Sequence, residues 1–337
     1  MLTTTVPEAP MHLTPAQADR AAGVLLTQAV GDAIGVPYEF AAPPPGEPEM
    51  IGGGLGDLAP GEWSDDTQMA ICIARVAATG ADLTSTTALD AVAAAFEGWL
   101  TGGASDVGTQ TRAVLEAAAR ATGPAGSRLT TAARDHAASN AHSAGNGALM
   151  RTSIVGLTRL HDRAHTAASA RAVAALTHAD PLALDSCVLW SDAVRRAVLS
   201  GHLDVAAGLV LIDSERRDQW GAWVADATGA DPARFVPNGF TVTALQAAWA
   251  AITSTDLGDG SPLHVRRALT AAVHAGDDTD TVAAIAGGLL GARYGASAVP
   301  TEWASAVHGW PGMRAQDLTY LADRTCRAGC LTAGERP

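Results

Sequence analysis

Two short acidic segments hold the residues of this sequence that are best suited to chemistry. They are Ser64–Thr67, with the sequence SDDT, and Asp277–Thr281, with the sequence DDTDT, and each precedes an apolar segment of helical periodicity. Such side chains at a helix N-terminus often accept hydrogen bonds from unpaired backbone N–H groups, and one side chain is enough for that role. Five aspartates are more than capping requires. Clustered carboxylates also raise one another's pKa when no cation lies between them. Helix capping and cation binding are therefore the two interpretations.

The ligand atoms of these segments indicate which cation they suit. Carboxylates and hydroxyls, without sulfur or imidazole, favour Mg²⁺, Mn²⁺ or Ca²⁺ over zinc or copper. A calcium loop of the EF-hand type is disfavoured, because the later bidentate glutamate of that pattern is missing. If the two helix N-termini meet, they can hold two ions about 3.5–4 Å apart with a shared carboxylate. The sequence therefore predicts two divalent cations, Mg²⁺ or else Mn²⁺.

The elements that must position these segments are predicted to be helices. Apolar residues recur three and four positions apart, and no segment alternates convincingly as a strand, so the pattern predicts an all-α bundle. A loop is predicted at Ala41–Pro60, loose ends at residues 1–13 and 331–337, and a single domain over residues 14–330. The predicted helices are Thr14–Ile34, Asp66–Thr79, Ser85–Leu100, Asp106–Ala121, Thr166–Thr177, Pro181–Ser200, Leu203–Asp213, Glu215–Ala227, Val242–Thr253, Pro262–His274, Asp280–Tyr294 and Met313–Cys330.

Two of these helices carry small residues at every fourth position. The first contains Gly23, Thr27, Gly31 and Gly35, and the second contains Ala283, Gly287, Gly291 and Gly295. Glycine weakens a helix by about 1 kcal/mol relative to alanine, so its accumulation on one face indicates another backbone lying close against that face. We expect the two helices to cross at the centre of the molecule, which brings the acidic segments together.

Composition excludes several classes of partner. The chain of 337 residues has a formal net charge of −13 and contains no lysine, so it lacks the basic surface that binds nucleic acid or anionic membranes. No apolar run approaches the ~20 residues that span a bilayer, and no basic region followed by an apolar stretch opens the sequence. The four cysteines are predicted to be reduced thiols, as in the cytoplasm. Nothing in the sequence indicates the oligomeric state.

Four blocks in this order resemble the ADP-ribosylglycohydrolase family, which includes the dinitrogenase reductase-activating glycohydrolases. They are Gly31–Phe40 (GDAIGVPYEF), Ser64–Met69 (SDDTQM), Gly145–Arg151 (GNGALMR) and Asp278–Gly287 (DTDTVAAIAG). The resemblance covers about residues 20–310. It implies an orthogonal multi-helix bundle, a binuclear magnesium or manganese centre, and hydrolysis of the glycosidic bond between ADP-ribose and an acceptor.

The resemblance also implies roles for individual residues. Glu39 resembles the family's acidic residue beside the metals, for which metal binding, gating of the site and proton handling are the alternatives, and Asp280 is the candidate bridging ligand. Glu39 and Asp66 are the catalytic candidates for proton transfer, with the roles unassigned between them. The implied metal ligands are Ser64, Asp65, Asp66, Asp278, Asp280 and Thr281. The implied substrate-binding residues are Ser143, Gly145, Asn146, Gly147 and His178. A cap or turn before Pro181 is the alternative for His178, and the segment Gly102–Gly108 matches the rim of the pocket more loosely.

Two positions depart from the family pattern. Ser64 stands where many members have threonine, which keeps the hydroxyl ligand and removes a methyl group. Asp277 stands where glycine is common, and its carboxylate either caps the helix in solvent or adds charge beside the cations. Two other functions remain alternatives: a non-catalytic relative that binds ADP-ribose or acts by contact, and a magnesium-dependent phosphohydrolase. The acceptor, whether arginine, serine, a small molecule or a base, has no motif in the sequence.

Overall fold

The computed structural model describes residues 12–330, and within this range the chain is almost entirely helical. The α-helices span Pro15–Gly35 (α1), Asp65–Ala77 (α2), Thr86–Thr101 (α3), Thr109–Ala119 (α4), Ala125–Ser139 (α5), Arg163–Ala174 (α6), Pro181–Ser200 (α7), Ser214–Ala227 (α8), Thr241–Thr255 (α9), Leu263–His274 (α10), Thr279–Tyr294 (α11), Thr301–Ala306 (α12) and Ala315–Cys330 (α13). The one sheet in the described range pairs His308–Gly309 (β1) with Met313–Arg314 (β2) in antiparallel register. The predicted all-α class is confirmed.

Three of the predicted helices were wrong in extent or kind. Leu203–Asp213 is not an α-helix but contains a 3₁₀ segment at Ala206–Leu211, and the first two residues of Met313–Cys330 belong to β2. The helix predicted from Asp106 begins at Thr109, which leaves Asp106 in a loop. Two helices, α5 and α12, were not predicted. Only Gly126, Leu129 and Ala133 of α5 are buried, so few large apolar residues mark this helix in the sequence.

The helices α1 and α11 lie at the centre and run antiparallel in direct backbone contact. A Cβ atom at Gly31 would lie under 3.0 Å from the carbonyl oxygen of Ala283, and one at Gly291 would meet Gly23 equally closely. The predicted contact between the two glycine faces is therefore confirmed. Because it continues along both helices, they lie side by side instead of meeting at one crossing. This places the C-terminal end of α1 against the N-terminal end of α11.

One apolar core draws on helices from α1 to α13. The four cysteines are buried and form no disulfide. In the described part of the chain, no helix has both the length and the apolar character that crossing a membrane requires. The predicted loop Ala41–Pro60 contains no helix, and Gly53 and Leu58 form an isolated bridge within it. Of the predicted loose ends, residues 1–11 and 331–337 lie outside the described residues. The single domain over residues 14–330 stays a prediction.

Candidate active site

The ends of three helices meet at the site. Gly35, the last residue of α1, lies against the backbone of Asp280 in the first turn of α11, so close that a Cβ atom would clash. Asp32, one turn earlier in α1, accepts hydrogen bonds from the backbone N–H groups of Ser64 (2.8 Å) and Thr67 (3.0 Å) at the start of α2. The two acidic segments, which are more than 200 residues apart in sequence, are thereby brought together.

Capping does not account for the acidic side chains of these two helices. Neither Ser64 nor Asp278, the N-cap residues of α2 and α11, makes a side-chain capping hydrogen bond. The N-terminus of α2 is capped from outside by Asp32, whose carboxylate also accepts the hydroxyl of Thr67 at 2.6 Å. The Ser64 hydroxyl instead donates to Asp66 Oδ2 at 2.8 Å. The carboxylates of the clusters are therefore left for another purpose.

The carboxylates form two groups that have one member in common. Asp32, Asp66 and Asp280 make up one group, and Glu39, Asp278 and Asp280 make up the other; within each group the ligand atoms lie within 4.8 Å of one another. An all-oxygen ligand set of this kind suits hard divalent cations. The sharing of Asp280 is the arrangement expected of a two-cation site with a bridging carboxylate.

Electrostatic repulsion in the cluster is severe when no cation is bound. Burial raises the pKa of Asp66 well above its ordinary value, and the neighbouring Asp32 and Asp65 raise it further. Burial also raises the pKa of Asp280, with a further contribution from Asp66. The pKa of Glu39 rises to about 8, mainly through burial and then through the charge of Asp106. Bound cations would oppose these shifts, because a nearby positive charge favours the ionised carboxylate.

Two buried oxygen atoms of the cluster have no hydrogen-bond partner among the described residues. They are Asp66 Oδ1 and Glu39 Oε2. Buried polar atoms are nearly always hydrogen-bonded, and an unpartnered one points to an ion or a water molecule at that place. The two atoms belong to different carboxylate groups, one on each side of Asp280. The residues present therefore fit a pair of divalent cations.

A cavity of about 340 Å³ opens over these carboxylates. Its lining includes most of the residues singled out from the sequence: Glu39, Asp65, Gly145, Asn146, Gly147, His178, Asp278, Asp280 and Thr281. Ser64 and Asp66 do not line it and are fully buried. Ser143 is also buried outside the lining, where its hydroxyl lies 3.3 Å from Asp180 Oδ2. Asp180 itself caps α7 through the backbone N–H of Leu182.

The loop at Asn146 is tied to the acidic segment of α11. Asn146 Nδ2 donates to Asp278 Oδ2 (2.8 Å) and to the backbone carbonyl of Asn238 (3.0 Å). Its own backbone N–H donates to the carbonyl of Gly239 at 3.0 Å. Each donor of Asn146 is thus used inside the protein, and its Oδ1 is the atom left for a ligand. Hydrogen bonding by Asn146 lowers the pKa of Asp278 against the larger effect of burial.

Asp277 does not belong to either carboxylate group. Its backbone has a φ of 62°, in the left-handed region that glycine adopts most easily, and aspartate is among the residues that tolerate it. Its Oδ2 accepts the backbone N–H of Asn238 at 2.8 Å. The side chain of Asn238 in turn accepts the N–H of Asp278 at 2.8 Å and donates to Gly276 at 2.9 Å. Asp277 therefore fastens the neighbouring loop instead of adding a cation ligand.

Several residues of the site were not predicted, and four of them have a polar side chain with a clear place in it. Asp106 and Gln110 line the cavity, Asn238 fixes Asp278, and Asp32 caps α2. Asp32 lies inside the block Gly31–Phe40 that was compared with the family, but no role was predicted for it. Asp106 fell inside the loosely matched segment Gly102–Gly108, of which Asp106, Val107 and Gly108 do line the cavity. Asn238 lies in a loop without any motif.

Relatives of known name cover nearly the whole chain. Two proteins called ADP-ribosylarginine hydrolase Tri1 are similar to it: one from Pseudomonas putida (strain GB-1), 31% identical over 96% of this chain and 84% of its own length, and one from Serratia proteamaculans (strain 568), 28% identical over 85% and 74%. The ADP-ribosyl-[dinitrogen reductase] glycohydrolase of Rhodospirillum rubrum is 28% identical over 86% of this chain and 91% of its own.

A solved structure and a family model agree with these relatives. A chain from a structure described as an ADP-ribosylglycohydrolase-related protein complex superposes with a TM-score of 0.70 and 26% identity, over 94% of this chain and 100% of that one. The model of the family described as ADP-ribosylglycohydrolase matches residues 13–334. The chain belongs to the ADP-ribosylglycohydrolase family.

Proposed function

We propose that this protein hydrolyses the N-glycosidic bond between ADP-ribose and an arginine side chain of a modified protein, using two divalent cations, Mg²⁺ or Mn²⁺. The observation that carries the proposal is the shared Asp280 between two carboxylate groups on the floor of the cavity. The arginine acceptor is supported by the names of the two relatives that are ADP-ribosylarginine hydrolases. The four free cysteines are compatible with the predicted cytoplasmic location.

The residues proposed to hold the cations are those at the starts of α2 and α11: Ser64, Asp65, Asp66, Asp278, Asp280 and Thr281. When bound, the cations supply Lewis-acid chemistry and offset the negative charge of the surrounding carboxylates. The protein fixes these ligands through backbone contacts. Thr281 N–H donates to Asp280 Oδ1 at 2.8 Å, and Gly108 N–H donates to Asp65 Oδ2 at 3.2 Å.

Of the two candidates for proton transfer, Glu39 is the better placed. It lines the cavity, whereas Asp66 is fully buried and absent from the lining. Burial and the charge of Asp106 raise the pKa of Glu39 to about 8 in the cation-free protein, and a carboxyl in the cavity wall can pass a proton to a departing nitrogen. Asp66 is then left as a cation ligand. Its Oδ1 has no hydrogen-bond partner among the described residues, and Asp66 shares a carboxylate group with Asp32 and Asp280.

The charge of the cavity favours a cationic acceptor. Asp106 lies in its wall and is not among the residues proposed to hold the cations, so its carboxylate remains available to an acceptor when two cations are bound. A guanidinium group is attracted by carboxylates and can donate to them in pairs, whereas a serine hydroxyl gains little from such surroundings. Glycosidic cleavage passes through a transition state that resembles an oxocarbenium ion, which the same negative charge also stabilises.

The experiment compares an arginine-ADP-ribosylated protein with a serine-ADP-ribosylated one, each assayed with Mg²⁺, Mn²⁺ or a chelator. We expect release of intact ADP-ribose from the arginine conjugate, supported by cations and abolished by the chelator. Release of AMP would instead identify a phosphohydrolase. Binding of ADP-ribose in calorimetry without release from either conjugate would identify the non-catalytic alternative.

Two variants complete the test. Asp280→Ala removes the shared carboxylate and is expected to abolish turnover while leaving the helical circular dichroism near that of the unmodified protein. Asp218→Asn, an exposed aspartate on α8, is the matched control and should keep full activity. Turnover by Asp280→Ala in the presence of chelator would refute the cation-dependent reaction.

A further inference from the structure

A fully buried arginine lies behind the cavity without a carboxylate partner. Arg151 has 0% exposure, and no ion pair joins it to an acidic side chain within residues 12–330. Its guanidinium stacks over the ring of Phe96 at 4.6 Å and lies 3.4 Å from Met69 Sδ. Burial lowers its pKa to about 10, so the group is still a cation at neutral pH. Burying an unpaired charge costs free energy, so a functional role for Arg151 is expected.

The strongest contact of Arg151 is with a hydroxyl group. Its Nη2 donates to Thr177 Oγ1 at 2.6 Å. A guanidinium has donors and no acceptor, so the threonine oxygen must accept this hydrogen bond. The same oxygen lies 2.8 Å from His178 Nδ1. Among the described residues, Nδ1 is the one other hydrogen-bond partner of this oxygen, so the hydroxyl proton is used only if Nδ1 accepts it.

The direction of these hydrogen bonds decides the tautomer of His178. A neutral imidazole carries one proton, and when Nδ1 accepts, that proton is on Nε2. Burial, with the positive charge of Arg151 nearby, lowers the pKa of His178 well below its ordinary value, so the ring is neutral. His136 acts in the same direction.

The protonated nitrogen of His178 faces the cavity. His178 belongs to the lining, and its Nε2 has no hydrogen-bond partner in the part of the chain that is described. A Cβ atom at Gly147 would lie 3.1 Å from His178 Cε1 and 3.3 Å from Nε2, so this glycine leaves the ring edge uncovered. The Nε2–H group is thus a donor held ready for an oxygen atom of a ligand.

We propose that Arg151 is a positioning residue which, through Thr177, fixes His178 as the neutral Nε2–H tautomer, so that the imidazole donates a hydrogen bond to an oxygen of ADP-ribose. The identity of the ligand rests on the proposed function, and the hydrogen-bond relay does not. Arg151 itself touches no ligand. It acts by occupying one lone pair of Thr177 Oγ1 and holding this hydroxyl beside Nδ1, the one acceptor that its proton has among the described residues.

The experiment uses protein labelled with ¹⁵N-histidine, in which NMR distinguishes the two neutral tautomers and the imidazolium. His178→Gln assigns the His178 signals by their disappearance. Thr177→Val removes the hydroxyl at nearly constant shape, and Thr177→Ser is the matched control that keeps it. Arg151→Met removes the donor that orients Thr177. Binding of ADP-ribose in the presence of Mg²⁺ is measured for each variant by calorimetry.

We expect the Nε2–H tautomer in the unmodified protein and in Thr177→Ser, and a mixture of tautomers in Thr177→Val and Arg151→Met. The Kd for ADP-ribose should rise about 3- to 10-fold in the latter two, as for the loss of one oriented hydrogen bond. An Nδ1–H or imidazolium form in the unmodified protein would overturn the proposal, as would unchanged tautomer and affinity in a folded Thr177→Val. If Arg151→Met does not fold, the threonine pair decides. If the unmodified protein fails to bind ADP-ribose, the proposed function fails while the tautomer is still measured.

Discussion

Removing the cations should make the stability of this protein fall as the pH rises. Asp32 is fully buried, and its pKa is raised from 3.8 to about 6, chiefly by burial. A folded-state pKa above the unfolded value means that the folded protein binds more protons between these two pKa values. Stability from such a group is fully present below about pH 4 and is lost as the pH rises through about 6. Asp66 and Asp280 act in the same direction.

The expected size follows from the shift of Asp32 alone. A difference of about two pKa units at about 1.4 kcal/mol each amounts to roughly 3 kcal/mol between pH 4 and pH 7. For a chain of 337 residues with an unfolding entropy of about 2.1 cal/mol/K per residue, that corresponds to a decrease in Tm of roughly 4 °C. Glu39, with its pKa near 8, extends the loss above neutral pH. Because it is partly exposed to solvent, we assign it no energy.

Thermal melts from pH 5 to pH 8, with excess Mg²⁺ and with chelator, measure this effect. The difference between the two curves is the relevant quantity, because histidines far from the cluster titrate equally in both. We expect the difference to widen with pH, since cations replace protons on the carboxylates. In Asp280→Asn the difference should shrink strongly, whereas Asp218→Asn should match the unmodified protein. A difference that is constant or narrows with pH would refute the electrostatic reasoning.

Two further substitutions test how the fold supports the cluster. Gly31→Ala places a Cβ against the Ala283 carbonyl, so it should lower the free energy of unfolding by about 1–3 kcal/mol in denaturant and weaken Mn²⁺ binding. The control Gly98→Ala adds a Cβ with nothing within 4 Å and should stabilise the protein by about 1 kcal/mol. Equal effects of the two substitutions would contradict the close contact of α1 with α11. Asn238→Ala frees the N–H of Asp278, and Mn²⁺ titration followed by electron paramagnetic resonance should show about tenfold weaker binding. Unchanged Mn²⁺ affinity would mean that Asn238 does not position Asp278.

The parts of the site that could be predicted are those with a local signature. The glycine spacing of α1 and α11 indicated backbone contact because no other arrangement repays the loss of helix stability, and the two helices do touch along these faces. The excess of aspartates at two helix starts indicated more than capping. Both inferences use residues that are near one another in sequence, where helical geometry translates spacing directly into position.

The parts that could not be predicted depend on contacts between distant segments. Asn238 is 40 residues from Asp278 and 92 from Asn146, and its loop carries no pattern that distinguishes it from any other turn. The helix α5 was missed because it buries few apolar residues. Asp106 was assigned to the helix α4 because helical periodicity does not mark where a helix begins, and the error concealed a carboxylate in the cavity wall.

The hydrogen bonds of the cluster indicate which carboxylates serve as ligands and which serve as scaffold. Asp32 accepts three hydrogen bonds from Ser64 and Thr67, so its oxygens are already occupied in holding α2. Asp66 has one oxygen bonded to Ser64 and one without a partner. A cation is expected to bind Asp66 Oδ1, because binding there breaks no hydrogen bond within the described residues. Asp32 thus holds the start of α2 beside Asp66, and it performs for this helix the capping that the sequence suggested for Ser64–Thr67.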